Sequence, residues 1–101
     1  MKSPGYRITA QAVSDLSQIW KYTAYKWSSE QADRYYELII NEFLYISKNL
    51  NAGKPAEHIR KGYRSLAVKS HLIYYRIADD QIPEIIRILH QRMDVDNDLA
   101  R

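Results

Sequence analysis

Two hydrophobic rhythms divide the chain. From Ala12 to Leu50 apolar residues recur every three or four positions, whereas from Tyr63 to Leu89 they gather in short β-branched and aromatic runs. In the first half, Ala12, Leu16, Ile19, Thr23 and Trp27 mark one stripe of an amphipathic helix that Val13 and Trp20 widen, ending near Trp27. Ser28-Ser29-Glu30-Gln31 then reads as a capping box, in which Ser28 accepts from the third helical amide and Gln31 reaches back. A second helix follows, with Ala32, Tyr36, Ile39, Phe43, Ile46 and Leu50 facing inward. So short a connection makes the two helices an antiparallel hairpin. Tyr35, Leu38 and Tyr45 fall off the inward stripe and form a second apolar face that needs cover from the sheet or from a partner.

Ahead of the hairpin, Tyr6-Arg7-Ile8-Thr9 alternates like a short strand that must join a larger sheet, and Thr9 is placed to cap the first helix. Behind it, Asn51-Ala52-Gly53-Lys54-Pro55 ends the helical half, Gly53 being suited to a left-handed helix end and Pro55 unable to continue the helix. Leu66 and Val68, then Leu72 to Ile77, then Ile85 to Leu89 read as three antiparallel strands, broken at Lys69-Ser70 and at Ala78 to Gln81. The first break contains neither Gly nor Asn, so its turn is expected to be longer than two residues. The predicted fold is α+β, in the order β-α-α-β-β-β, with a helical hairpin laid on a small antiparallel sheet.

Length and composition narrow the classes. At 101 residues the chain is expected to form a single domain spanning 1–101, and 46 % hydrophobic residues are enough for one core. No run approaches the ~20 apolar residues of a membrane span, and the N-terminus lacks the apolar centre of a secretory signal, so a cytoplasmic protein is expected. Zero cysteines exclude disulfides and thiolate metal sites. The three histidines form no HxH or HxxxH pair, and neither a metal nor a cofactor is expected. Net charge is only +3, but Asn51 to Ala78 holds six basic residues against the single acid Glu57, whereas the chain from Asp79 onward carries six acids against three bases. That basic stretch suits an acidic partner, protein or nucleic acid, or is simply a solvated sheet face.

Chemistry-bearing motifs are few. No serine lies in a GxSxG setting and no glycine loop cradles phosphate. His90 and Arg92 share strand parity with Ile86 and Ile88, so an imidazole and a guanidinium are expected on one face. With Arg64 or Lys61 they could serve phosphodiester cleavage, but no second acid or base is fixed beside His90 by spacing, so a strand-end histidine bonding its neighbours is the better account of these residues alone. His58 and His71 have no companion at ligand or triad spacing and read as structural or exposed. Among the aromatics, Trp27, Tyr36 and Tyr74 are assigned to the core, while Trp20, Tyr25, Tyr35, Tyr45 and Tyr63 stay open.

Five pieces in order, Tyr6-x-Ile8-Thr9-x-x-Ala12-x-x-Asp15-Leu16-x-x-Ile19, Trp27 with Gln31-Ala32 and Tyr35-Tyr36, Ile59-Arg60-x-Gly62-Tyr63-Arg64, His71-x-Ile73-Tyr74-Tyr75 and Ile88-Leu89-His90-x-Arg92-Met93-Asp94, make the chain resemble the ParE toxins of the RelE/ParE superfamily. The resemblance covers nearly the whole sequence. It implies a toxin of a type II toxin-antitoxin system that blocks DNA gyrase, is not itself an enzyme, binds no specific DNA sequence alone, and is neutralised by a cognate ParD-type antitoxin. The relatives of RelE type instead cleave mRNA on the ribosome, a reading that would make Arg64, His90 and Arg92 catalytic. This chain lacks their denser basic set in the last strand and a tyrosine near the C-terminus, its last being Tyr75. For target binding the expected residues are Arg60, Lys61, Arg64, His90 and Arg92, and for the antitoxin Trp20, Tyr35, Leu38 and Tyr45.

Overall fold

The structure, a computed structural model, describes residues 5–91. Its elements are β1 (Arg7–Ile8), α1 (Ala10–Lys26), α2 (Ser29–Lys48), β2 (Lys54–Pro55), β3 (Tyr63–Val68), β4 (His71–Ile77) and β5 (Pro83–His90). The strands form one sheet in the order β1-β5-β4-β3-β2, all neighbours antiparallel except β1 with β5, and the α1–α2 hairpin lies against it. The expected α+β layering is therefore present, with β2 as an added two-residue edge strand and one parallel pair.

Helix boundaries follow the capping chemistry. Thr9 Oγ1 accepts from the Ala12 amide at 3.0 Å and donates to the Ile86 carbonyl at 2.8 Å, tying the start of α1 to β5. Ser28 Oγ accepts from the Gln31 amide at 3.0 Å. The return bond expected of the Gln31 side chain is not formed, because that side chain lines a groove instead. Between the helices and the sheet, Ala12, Leu16, Ile39, Phe43 and Ile46 pack on Val68, Ile73, Tyr75, Ile85 and Ile88. Each fully buried Ile or Phe there contributes about 1.5–3 kcal/mol of hydrophobic stabilisation. A smaller cluster on the opposite sheet face, Ala56, Tyr63, Tyr74 and Leu89, is joined by Ile59 from the 56–62 loop.

Several local expectations are corrected. Trp27 is 65 % exposed and Tyr36 43 % exposed, so neither belongs to the core, unlike Tyr74 at 4 %. Trp27 is the residue after the last turn of α1, with φ −122° and ψ −83°, and no longer follows the helical stripe. Tyr36 sits beside that stripe, whose inward positions are Ala32, Ile39, Phe43 and Ile46. The β3–β4 turn is literally Lys69-Ser70, with Lys69 held at φ +54°. Gln91 compensates the strained turn, donating from its side chain to the Lys69 carbonyl at 2.7 Å and from its backbone to the Ser70 carbonyl at 2.8 Å. Gly53 is not left-handed. It is required by close approach, since a Cβ there would stand 2.7 Å from the Tyr75 ring and 2.8 Å from the Ser65 carbonyl oxygen. The buried Tyr75 hydroxyl accepts from the Gly53 amide and donates to the Leu50 carbonyl, both at 2.8 Å, and so pins the exit from α2.

β5 carries a bulge at Ile86. Tyr75 pairs with Ile85 but Tyr74 pairs with Arg87, so Ile85 and Ile88 both reach the helix-facing core although they are three residues apart. Ile86 moves to the opposite face, which breaks the shared parity expected of Ile86, Ile88 and His90. Beyond β1, Asp15 of α1 covers the edge of β5. Its carboxylate accepts two bonds from Arg87, at 2.8 and 3.0 Å, and one from the Ile88 amide at 3.0 Å.

Candidate functional site

The bulge decides which side chains meet at the end of the sheet. By sliding β5 one residue along β4, it sets His90 opposite His71, their rings edge to face with centroids 5.2 Å apart. His71 is not the solitary residue its spacing suggests. Tyr35 of α2 leans over it, with the hydroxyl 2.6 Å from Nδ1 and donating to the Val68 carbonyl at 3.2 Å. The hydroxyl thus bridges His71 and the Val68 carbonyl, and fixes the orientation of the imidazole ring. Burial, and then the neighbouring His90, pull the His71 pKa down to about 4 against a smaller opposing pull from Asp15. The imidazole is thus neutral at pH 7. Burial also raises the Tyr35 pKa, keeping the phenol protonated.

These rings floor a groove of about 770 Å³ between the tip of the helical hairpin and the β3–β4 turn. Tyr22, Thr23 and Trp27 line it from the α1 side, Gln31, Arg34 and Leu38 from α2, and Lys69 and Ser70 from the turn. Among the described residues no carboxylate lines it. Trp27 and Tyr22 are 65 % and 61 % exposed, so its aromatic wall is open to solvent. Trp27, Arg34, Lys69 and His71 were not assigned to any site from the sequence. The signal was the pair of strand-end histidines, but joining them required both the tight Lys69-Ser70 turn and the bulge.

The residues expected to bind a target are not brought together. Arg60 and Lys61 sit in the loop before β3 and Arg64 near its start, paired with Tyr75, whereas His71 and His90 pair four rungs away from Arg64, roughly 13 Å along the sheet. Arg64 is engaged with the chain itself, donating to the Gly53 carbonyl at 3.0 Å and the Asn51 carbonyl at 3.2 Å. Arg60 lies over the Tyr63 ring, and Lys61 is exposed. Arg92 and the acidic residues after it lie outside the described residues. Of the four residues expected at an antitoxin surface, Tyr35 and Leu38 line the groove while packing against the core, and Tyr45 lies 51 % exposed two helical turns beyond Leu38. Trp20 belongs elsewhere. Its indole donates to Asp33 at 2.9 Å and it lines a second groove, of about 450 Å³, with Tyr6, Val13, Tyr36 and Ile40.

Against known proteins, residues 6–95 match the family described as ParE toxin of type II toxin-antitoxin system, parDE. The chain belongs to the ParE toxin family. Toxin ParE1 of Mycobacterium tuberculosis is 34 % identical over 97 residues, covering 96 % of this chain and 99 % of the relative. Toxin ParE1 of Caulobacter vibrioides is 38 % identical over 89 residues, or 88 % of this chain and 91 % of that one. Among solved structures, one titled "Chromosomal ParDE TA system from P. aeruginosa" superimposes with a TM-score of 0.73 at 22 % identity, over 87 % of this chain and 98 % of that chain, a likeness of fold. The chain is accordingly a ParE-family toxin of a type II toxin-antitoxin system, and no helix among the described residues is long and apolar enough to cross a membrane.

Proposed function

We propose that this ParE-family toxin inhibits DNA gyrase by binding it, without chemistry of its own, and is neutralised by a cognate ParD-type antitoxin. The observation that carries binding over RNA cleavage is the separation of functional groups. The His71–His90 pair lies roughly 13 Å along the sheet from Arg64, Arg60 and Lys61 stand in the loop before β3, and Arg64 is engaged with carbonyls of its own chain. In the endoribonuclease reading His90 would act on a phosphate that Arg64 holds, and this spacing does not bring those two side chains to one phosphate. The partner reading is supported by the ParDE system named for the structure of similar fold and by exposed aromatic surface on the hairpin. In this reading a segment of the antitoxin covers the flank of α2 that runs from Tyr35 and Leu38 to Tyr45.

The test is a supercoiling assay with purified gyrase. The toxin should abolish supercoiling, and an equimolar amount of the cognate antitoxin should restore it. Untouched supercoiling together with cleavage of ribosome-bound mRNA would replace this reading with the endoribonuclease one.

A further inference from the structure

The groove at the hairpin tip holds cations that find no counterion among the described residues. Arg34 and Lys69 both line it, and neither forms an ion pair with any described residue, in contrast to Arg7 with Asp80, Arg76 with Glu84 and Arg87 with Asp15. Beneath them lie His71 and His90, and beside them the exposed Trp27 and Tyr22 supply apolar walls over Leu38. A surface of this composition is half of a complementary pair. It would hold an extended or helical peptide that places a carboxylate among the cations and an apolar side chain against the aromatic wall.

We propose that this groove is the seat of an acidic residue of the antitoxin, received by Arg34 and Lys69 over the His71–His90 pair, and that His71 takes up a proton as that residue is seated. The proposal rests on the antitoxin reading above and specifies where and how that partner is held. Among the described residues the charged and titratable groups facing the pair include Tyr35 and Arg34 from α2, Tyr22 from α1, Lys69 from the turn, and Asp15 from the far side of α1. Only Asp15 among the described residues favours a charged His71, and it is already shared between Arg87 and the Ile88 amide. A second carboxylate arriving from the groove side reverses that balance, since an anion close to an imidazole favours its protonated form. In the toxin alone His71 titrates near pH 4. With the groove filled it titrates higher, so between those two values binding consumes a proton and tightens as the pH falls.

Isothermal titration of the full-length toxin with its cognate antitoxin, at pH 7.5, 6.5 and 5.5 in two buffers of different ionisation enthalpy, reads both affinity and proton uptake. Roughly three- to tenfold tighter binding at pH 5.5 than at pH 7.5 is expected, with net uptake of protons. His71→Asn, whose amide can hydrogen-bond to Tyr35 but does not titrate, should bind with much less dependence on pH. Arg34→Glu and Lys69→Glu should each weaken binding by at least about tenfold while leaving the circular-dichroism melt of the free toxin in place. Should His71→Asn fail to fold, the ring-proton shifts of His71 in the wild type decide the matter, and a titration midpoint unchanged by antitoxin overturns the proposal. It is also overturned by charge reversals that leave the affinity intact, or by self-association of the toxin that Arg34→Glu abolishes, which would assign the groove to a second copy. No binding at all would sink the antitoxin reading itself, and this proposal with it.

Discussion

At the scale of single residues, His71 shows how a side chain that looks idle in a sequence becomes a sensor once its neighbours are placed. Its ordinary pKa of 6.5 falls to about 4 in the folded protein because burial and His90 disfavour the charged ring. The unfolded chain therefore binds a proton that the folded chain refuses. Stability is complete above about pH 6.5 and declines as the pH falls from there towards 4. Because the ring is only half-buried, the loss after allowance for solvent screening is on the order of 1–2 kcal/mol. Denaturant melts of the free toxin at pH 7 and pH 4.5 should show this loss, and His71→Asn should flatten that part of the profile. An equal slope in wild type and variant would place the acid sensitivity elsewhere. Tyr35 and Tyr75 make the same point about tyrosines. Each reads as an aromatic of uncertain duty, yet each hydroxyl has a defined task, Tyr35 orienting His71 and Tyr75 closing the loop after α2.

At the scale of elements, the hairpin and the strands were legible because their periods are unambiguous and their caps are local. Thr9 and Ser28 accept within three residues of themselves, so nothing distant is needed to place them. The turn and the bulge were not legible, because both are stabilised from far along the chain. Lys69 is held at positive φ by bonds from Gln91, and Ile86 is displaced while Thr9 takes its carbonyl. Continuing the Ile77–Pro83 pairing without a bulge would set His71 against Leu89 and Arg87 in the core position that Ile88 fills. A break in the Ile85-Ile86-Arg87-Ile88-Leu89 alternation was the visible trace of the bulge. Asp15 fastens this irregular strand to α1, and its side chain is only 15 % exposed. Asp15→Asn keeps the shape but removes the charge facing Arg87 and at least one acceptor. About 2–3 kcal/mol of stability should be lost in thermal or urea melts, more than a surface ion pair supplies. A loss below about 0.5 kcal/mol would mean that the clip is dispensable.

Across the whole molecule, the positive charge legible in the sequence as one block is divided by the fold into two regions. The run from Asn51 to Ala78 carries six cations, but Arg64 and Arg76 are engaged within the chain. Of the other four, Lys54 lies on β2 opposite Ser65, while Arg60 and Lys61 precede β3 and Lys69 follows it. A linear count could not show this, because a strand carries consecutive charges away from each other at about 3.3 Å per residue. If the end bearing Lys61 meets gyrase and the end bearing Lys69 meets the antitoxin, the two functions should come apart in single charge reversals. Lys61 is exposed and is not part of any ion pair among the described residues, so Lys61→Glu should fold normally. It should raise the toxin concentration needed for half-inhibition of supercoiling several-fold, an effect that shrinks as salt is added, while the Kd for antitoxin stays within about twofold of wild type. Lys69→Glu should do the reverse, sparing inhibition and weakening capture. Assaying both variants for supercoiling at two ionic strengths, beside the antitoxin titration, gives a two-by-two outcome. Loss of both functions in either variant would show that gyrase and antitoxin compete for one overlapping surface.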